Sequence, residues 1–169
     1  KAFDVPDDSP FAMSQDPTFR AETLYRYSLA STKMGRQGHS KKLIEEAIGL
    51  VPSNATYQFE LGNLLISEQQ FKTALNHLEI ANALQPNNPR ILAALGFSWF
   101  KLEDASQSVL FLENAVKLAP TFALGWFHLG NSQVALGDIQ SATESFKVAV
   151  QLQPTFTVAI EALSKLKGK

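Results

Sequence analysis

The sequence predicts an all-α protein, a solenoid of stacked antiparallel helix pairs, chiefly because one pattern recurs along the chain. Four prolines, Pro52, Pro86, Pro120 and Pro154, stand 34 residues apart. Alanines and Leu-Gly pairs repeat at the same interval and in the same phase. Units of this length cannot bury their apolar faces alone, so they stack on their neighbours to form one continuous core.

The clearest unit spans 123–156 and reads as two helices joined by a tight turn. Gly137 suits the left-handed conformation that ends a helix, and Asp138 suits the cap of the next one. Gly130 and Ala142 lack bulk where the two helices must approach closely. We expect three large side chains to fill the space beside them: Trp126, Leu129 and Phe146.

The order W-x-x-L-G, A-x-x-x-F and a closing Pro, at a period of 34, is a tetratricopeptide signature. The chain therefore resembles the tetratricopeptide repeat (TPR) family across residues 21–169. This resemblance implies a right-handed superhelix in which the first helices line a concave groove. It divides the chain into four repeats and a C-terminal capping helix: 21–54, 55–88, 89–122, 123–156 and 157–169.

Residues 1–20 do not fit the repeat and are predicted to be irregular or a short helix. They are mildly acidic and carry three prolines. Pro17-Thr18-Phe19 echoes the end of later repeats one residue out of phase, which favours the remnant of a preceding repeat. A disordered lead-in explains the same residues equally well. The apolar side chains of this segment can anchor it on the array: Phe3, Phe11, Met13 and Phe19.

Composition narrows the class of function. A net charge of -1 argues against an electrostatic grip on nucleic acid, and no apolar run is long enough for direct membrane insertion. The chain has no cysteine, so it forms no disulfide. These features predict a soluble protein, with cytoplasm and periplasm both open. The chain begins at Lys1 rather than Met, which leaves a missing upstream segment open as well.

No catalytic, metal or cofactor site emerges from the sequence. The three histidines, His39, His77 and His128, occupy different positions of different repeats, without the i, i+4 spacing of a metal pair on one helix. No phosphate-binding glycine loop or nucleophile elbow is present. We therefore expect a protein that is not an enzyme and binds no cofactor or metal.

The resemblance implies that residues outside the packing frame of the first helices face the groove. Among them is a row of aromatic side chains, which favours an apolar partner. Packing between neighbouring first helices is the rival explanation, above all for Phe59 and Phe127. Asn63 and Asn131 share one position, where relatives hydrogen-bond an extended peptide; a local hydrogen bond explains them equally well. The predicted groove residues are Tyr25, Arg26, Phe59, Asn63, Arg90, Phe97, Phe100, Lys101, Phe127, His128 and Asn131.

The family's carboxylate clamp for acidic chaperone tails is predicted to be absent, because the fifth residues of the four repeats supply no lysine. We expect instead an adaptor or scaffold that binds an apolar peptide or amphipathic helix of another protein. The alternative is a self-associating scaffold, possible as a homo-oligomer, in which residues 1–20 occupy the groove of their own chain or of a neighbouring copy.

Overall fold

The computed structural model describes residues 16–167, and within them the chain forms helices joined by short turns. This confirms the predicted all-α helical solenoid. The residues before Asp16 and after Lys167 lie outside the described part. The helices, in chain order, are α1 Pro17–Lys33, α2 Gln37–Leu50, α3 Ala55–Ser67, α4 Phe71–Leu84, α5 Pro89–Lys101, α6 Ala105–Leu118, α7 Ala123–Ala135, α8 Ile139–Leu152 and α9 Thr157–Lys167.

Successive helices pair as hairpins, α1 with α2 through α7 with α8, and each hairpin packs on the next. Glycine makes the closest approach possible within three of the four pairs. A Cβ on Gly130 would lie 2.5 Å from a ring carbon of Phe146, and one on Gly96 would lie 2.6 Å from the Leu112 side chain. The predicted small residues and large fillers therefore meet, and Phe146 is fully buried at 1% exposure.

Each hairpin turns through a left-handed residue. The sequence predicts this conformation at Gly137, and φ there is 80°. Gln69 and Glu103 adopt it as well, with φ of 60° and 65°, although neither is a glycine. Asp138 then caps α8, its carboxylate accepting a hydrogen bond of 3.0 Å from the amide of Ser141.

The first helix begins at Pro17, four residues before the repeat boundary placed at Ala21. Asp16 caps it by accepting a 2.9 Å hydrogen bond from the amide of Thr18. Proline is well suited to the first helical position because that amide has no partner in the helix. Residues 17–20 are thus an additional helical turn of α1, and the remainder of the predicted extension, 1–15, lies outside the described residues.

The last helix, α9, packs against α8 and buries Ala159 completely. Its other sides are more open: Val158 and Ile160 are both exposed. None of the helices between residues 16 and 167 combines the length and apolarity needed to cross a membrane. The role of α9 as a solubilising cap stays a prediction.

Candidate groove on the first helices

The helices α3, α5 and α7 border a cavity of about 300 Å³, here called the central cavity. Two alanines, Ala93 and Ala94, leave room between the larger side chains around them. Five predicted groove residues line it. The full lining is Phe59, Asn63, Ile66, Arg90, Ala93, Ala94, Phe97, Phe122, Leu124 and His128.

Two cations lie over aromatic rings at this cavity. The guanidinium carbon of Arg90 is 5.4 Å from the centre of the Phe59 ring. The ammonium of Lys101 is 5.7 Å from the centre of Phe97 and 5.9 Å from that of Phe71. The ion pairs found between residues 16 and 166 involve neither cation. Both charges therefore lie over aromatic rings, and no carboxylate of residues 16–166 is at ion-pair distance from either.

Arg90 is close enough to one acidic residue, Glu60, to influence the pKa of its carboxyl group. Burial raises the pKa of the Glu60 carboxyl, while Arg90 and a hydrogen bond with Asn63 oppose that rise. Asn63 therefore lies beside Glu60. Its side chain still lines the central cavity.

His128 is a neutral aromatic wall of the cavity at neutral pH. Burial, reinforced by the positive charge of Lys101, lowers the pKa of its imidazole to about 4. The ring centre lies 4.8 Å from that of Phe97 and 5.6 Å from that of Phe127. Three aromatic side chains from α5 and α7 therefore form a continuous row.

Phe127 and Asn131 line a second cavity of about 460 Å³, bordered by α7, α8 and α9. The Phe127 ring also packs 5.9 Å from Phe146 and 5.1 Å from Phe156. Phe59 is only 9% exposed. Both aromatics therefore take part in packing as well as bordering a cavity.

The remaining predicted groove residues lie apart from the central cavity. Tyr25 packs on Tyr57 with ring centres 5.1 Å apart, and Arg26 is exposed with its guanidinium 2.8 Å from Glu22. Phe100 is half-buried and lines neither cavity. The structure therefore groups Phe59, Asn63, Arg90, Phe97 and His128 in one cavity and Phe127 and Asn131 in the next.

Several lining residues were not predicted. The predicted groove residues are all aromatic or polar. They do not include Ala93 and Ala94, whose small side chains leave the space. Phe122 precedes α7, so it lies outside the first-helix positions from which the groove residues are predicted. In the described residues, no group of three or more histidine, aspartate or glutamate side chains could hold a metal ion.

Stacked helical hairpins whose first helices border an open groove define the class of helical-repeat solenoids. The family profile for the tetratricopeptide repeat matches residues 123–156. This match covers one of the four 34-residue units, and together with the similar proteins described next it supports a TPR family protein.

Solved structures share the fold. The protein MamA superposes with a TM-score of 0.77 at 16% identity, covering 86% of this chain and 80% of that one. YrrB, described as a TPR protein with an unusual peptide-binding site, gives 0.74 at 20% identity, covering 88% and 76%. The first TPR of Spaghetti (RPAP3), bound to the HSP90 peptide SRMEEVD, gives 0.66 at 19%, covering 68% and 90%.

Sequence relatives are considerably longer than this chain. PYG7, a chloroplastic TPR domain-containing protein of Arabidopsis thaliana, is 25% identical over 134 residues, 77% of this chain. Hsp70-Hsp90 organizing protein 2 of the same plant is 23% identical over 135 residues, 80% of this chain. The matched parts are 44% and 24% of those proteins, so the chain spans less than half of either relative.

Proposed function

We propose that this chain is a non-enzymatic adaptor or scaffold module that binds an apolar peptide or helix of another protein in its concave groove. The observation that carries the proposal is the central cavity, where Phe59 and Phe97 flank the two small residues Ala93 and Ala94. A space of about 300 Å³ accepts one or two large apolar side chains of a bound segment.

The exposure of the cavity rim supports an apolar partner. Leu124 is 44% exposed at the start of α7, beside the buried aromatic wall. Arg90 and Lys101 add polar contacts at the edge, where charge fixes orientation more than it adds affinity. His128 is neutral at pH 7 because its pKa is about 4, so it adds no charge to the wall.

The relatives support the same class of function. The RPAP3 repeat domain was solved with a peptide of HSP90, and YrrB is described by its peptide-binding site. Both are under 25% identical to this chain, so they support the fold as a peptide-binding scaffold rather than a particular partner. No catalytic role is proposed for any side chain of the groove.

The self-association alternative applies to fewer residues than the sequence suggested. Residues 17–20 belong to α1 and cannot extend into a groove, so only residues 1–15 remain to do so. No contact among the described residues favours that occupant over a segment of another protein. We therefore keep binding of a separate protein as the proposed function.

Selection from a random peptide library displayed on phage tests this function. We expect the intact protein to enrich peptides with closely spaced large apolar residues. A double variant, Phe97→Ala with Phe127→Ala, should lose that enrichment while its circular dichroism stays helical. Undiminished enrichment of the same peptides by the double variant would show that the groove is not the binding site.

A further inference from the structure

The outer side of α1 exposes an aromatic stripe formed by Phe19 and Tyr27, and later repeats bury the position of Tyr27. The seventh residues of the second, third and fourth repeats are Leu61, Leu95 and Leu129, and each is 3% exposed or less. In the first repeat this position is Tyr27, which is 57% exposed. Phe19, eight residues earlier and on the same side of the helix, is 49% exposed.

In later repeats the preceding second helix covers this side. The hydroxyl of Ser132 on α7 lies 2.7 Å from that of Ser108 on α6. A Cβ on Gly125, also on α7, would lie 3.2 Å from Val116 of α6. The stripe on α1 therefore faces the space that a preceding second helix would fill, and no element between residues 16 and 167 fills it.

We propose that residues 1–15 of the same chain occupy this space, folding back along α1 over Phe19 and Tyr27. The register of the repeat supports this occupant. The second helices span 37–50, 71–84, 105–118 and 139–152, each 34 residues after the last. One further period towards the N-terminus gives residues 3–16, so in the sequence this segment corresponds to the second helix of a preceding repeat.

The reach and chemistry of the segment agree with that place. Residues 1–15 join α1 directly at its cap, Asp16, and span up to ~50 Å when extended, whereas α1 is ~25 Å long. Pro6 and Pro10 exclude a continuous helix, so the segment supplies apolar side chains rather than a regular second helix. Those side chains are Phe3, Val5, Phe11 and Met13.

We call a segment placed in this way the cap of α1. It covers the aromatic stripe that would otherwise be available to a second copy, and it leaves the concave groove open to a partner. The inference stands independently of the proposed function, since the stripe and the central cavity involve different residues.

Disulfide trapping tests the cap, because the native chain has no cysteine. One double variant joins Ser9→Cys to Ala30→Cys, an exposed position beside Tyr27. The matched control joins Ser9→Cys to Asn63→Cys in the central cavity. Under mild oxidation we expect the Ser9–Ala30 pair to close within one chain at least tenfold faster than the control pair.

Other outcomes of this experiment overturn the cap. Faster closure of the Ser9–Asn63 pair would place the segment in the groove, and predominant disulfide-linked dimers would make a second copy the occupant. Equal closure rates in native buffer would show that the segment prefers neither place. Repeating both reactions in denaturant gives the rate expected for a chain without docking.

Deletion of residues 1–15 gives a second, independent readout. We expect the deletion to lower the urea midpoint of the otherwise native chain, because Tyr27 and Phe19 lose their cover. In a Tyr27→Ser background the same deletion should lower it by clearly less. An equal shift in the two backgrounds, or none in either, contradicts contact between the segment and Tyr27.

Discussion

The imidazole of His128 packs 4.8 Å from the ring of Phe97, joining α7 to α5 at the central cavity. This contact places a titratable group inside an aromatic wall, with the ammonium of Lys101 over the other ring of the pair. Burial and that positive charge both disfavour the imidazolium. Protonation of His128 should therefore destabilise the wall.

The stability of the fold should depend on pH through this histidine. Its pKa is about 4 in the folded state against an ordinary value of 6.5, so the unfolded chain binds more protons between these values. The free energy of unfolding should then fall as pH drops below 6.5, by about 2 kcal/mol between pH 7 and pH 5. Urea unfolding at the two pH values measures it.

A His128→Leu variant provides the control, because leucine fills a similar space and does not titrate. Its loss of stability between pH 7 and pH 5 should be smaller than that of the native chain by about the same 2 kcal/mol. If both proteins lose equal stability, the low pKa assigned to His128 is wrong.

The contact between Gly130 and Phe146 predicts a destabilising substitution. In Gly130→Ala, the new methyl group would lie 2.5–2.9 Å from three carbons of the buried ring, so the ring or the helix must shift. We expect a loss of about 1–3 kcal/mol in the free energy of unfolding. Gly38→Ala is the matched control, since its Cβ meets nothing within 4 Å on helix α2.

That control should change stability in the opposite direction. Alanine is favoured over glycine inside a helix, so Gly38→Ala should stabilise the fold by about 0.5–1 kcal/mol. Chemical denaturation of both variants measures these changes in the free energy of unfolding. Equal effects of the two substitutions would mean that helix propensity, and not the approach of α7 to α8, determines the cost at Gly130.

The left-handed turns predict a second pair of opposite effects. Glu103 has φ of 65° and Gly137, at the equivalent turn of the next repeat, has φ of 80°. Glu103→Gly should raise the thermal midpoint because it removes a strain of about 1 kcal/mol, whereas Gly137→Ala should lower it. A lower midpoint for Glu103→Gly would show that its side chain contributes more than the conformation costs.

The fold could be predicted from sequence because the same 34-residue pattern recurs in several units. The offsets of Leu129, Gly130 and Phe146 describe one contact seam, and the same seam recurs at Gly62 and Gly96. The start of α1 differs from the predicted boundary because the frame of the repeat does not reach Pro17. Proline interrupts a helix only after the first turn, and Pro17 is the first residue of α1.

The groove was harder to predict for a physical reason. The position of a residue in the repeat gives the direction of its side chain, but not what lies beside it across two helices. Arg90 and Phe59, which are in contact, lie on different helices and far apart in the sequence. Lys101 and Phe97 lie one turn apart on α5. The space itself comes from two alanines, at positions 93 and 94, which carry no recognisable chemical signal.

Filling that space tests the proposed function most directly. Ala94→Phe should occupy the central cavity, while Leu110→Phe introduces the same side chain at an exposed position of α6 that does not line it. The measurement is the Kd of a peptide selected by the intact protein, obtained by isothermal titration calorimetry. We expect Ala94→Phe to weaken binding at least tenfold and Leu110→Phe to leave it unchanged. Equal affinity of the intact protein and the Ala94→Phe variant, with both folded, would contradict binding at the central cavity.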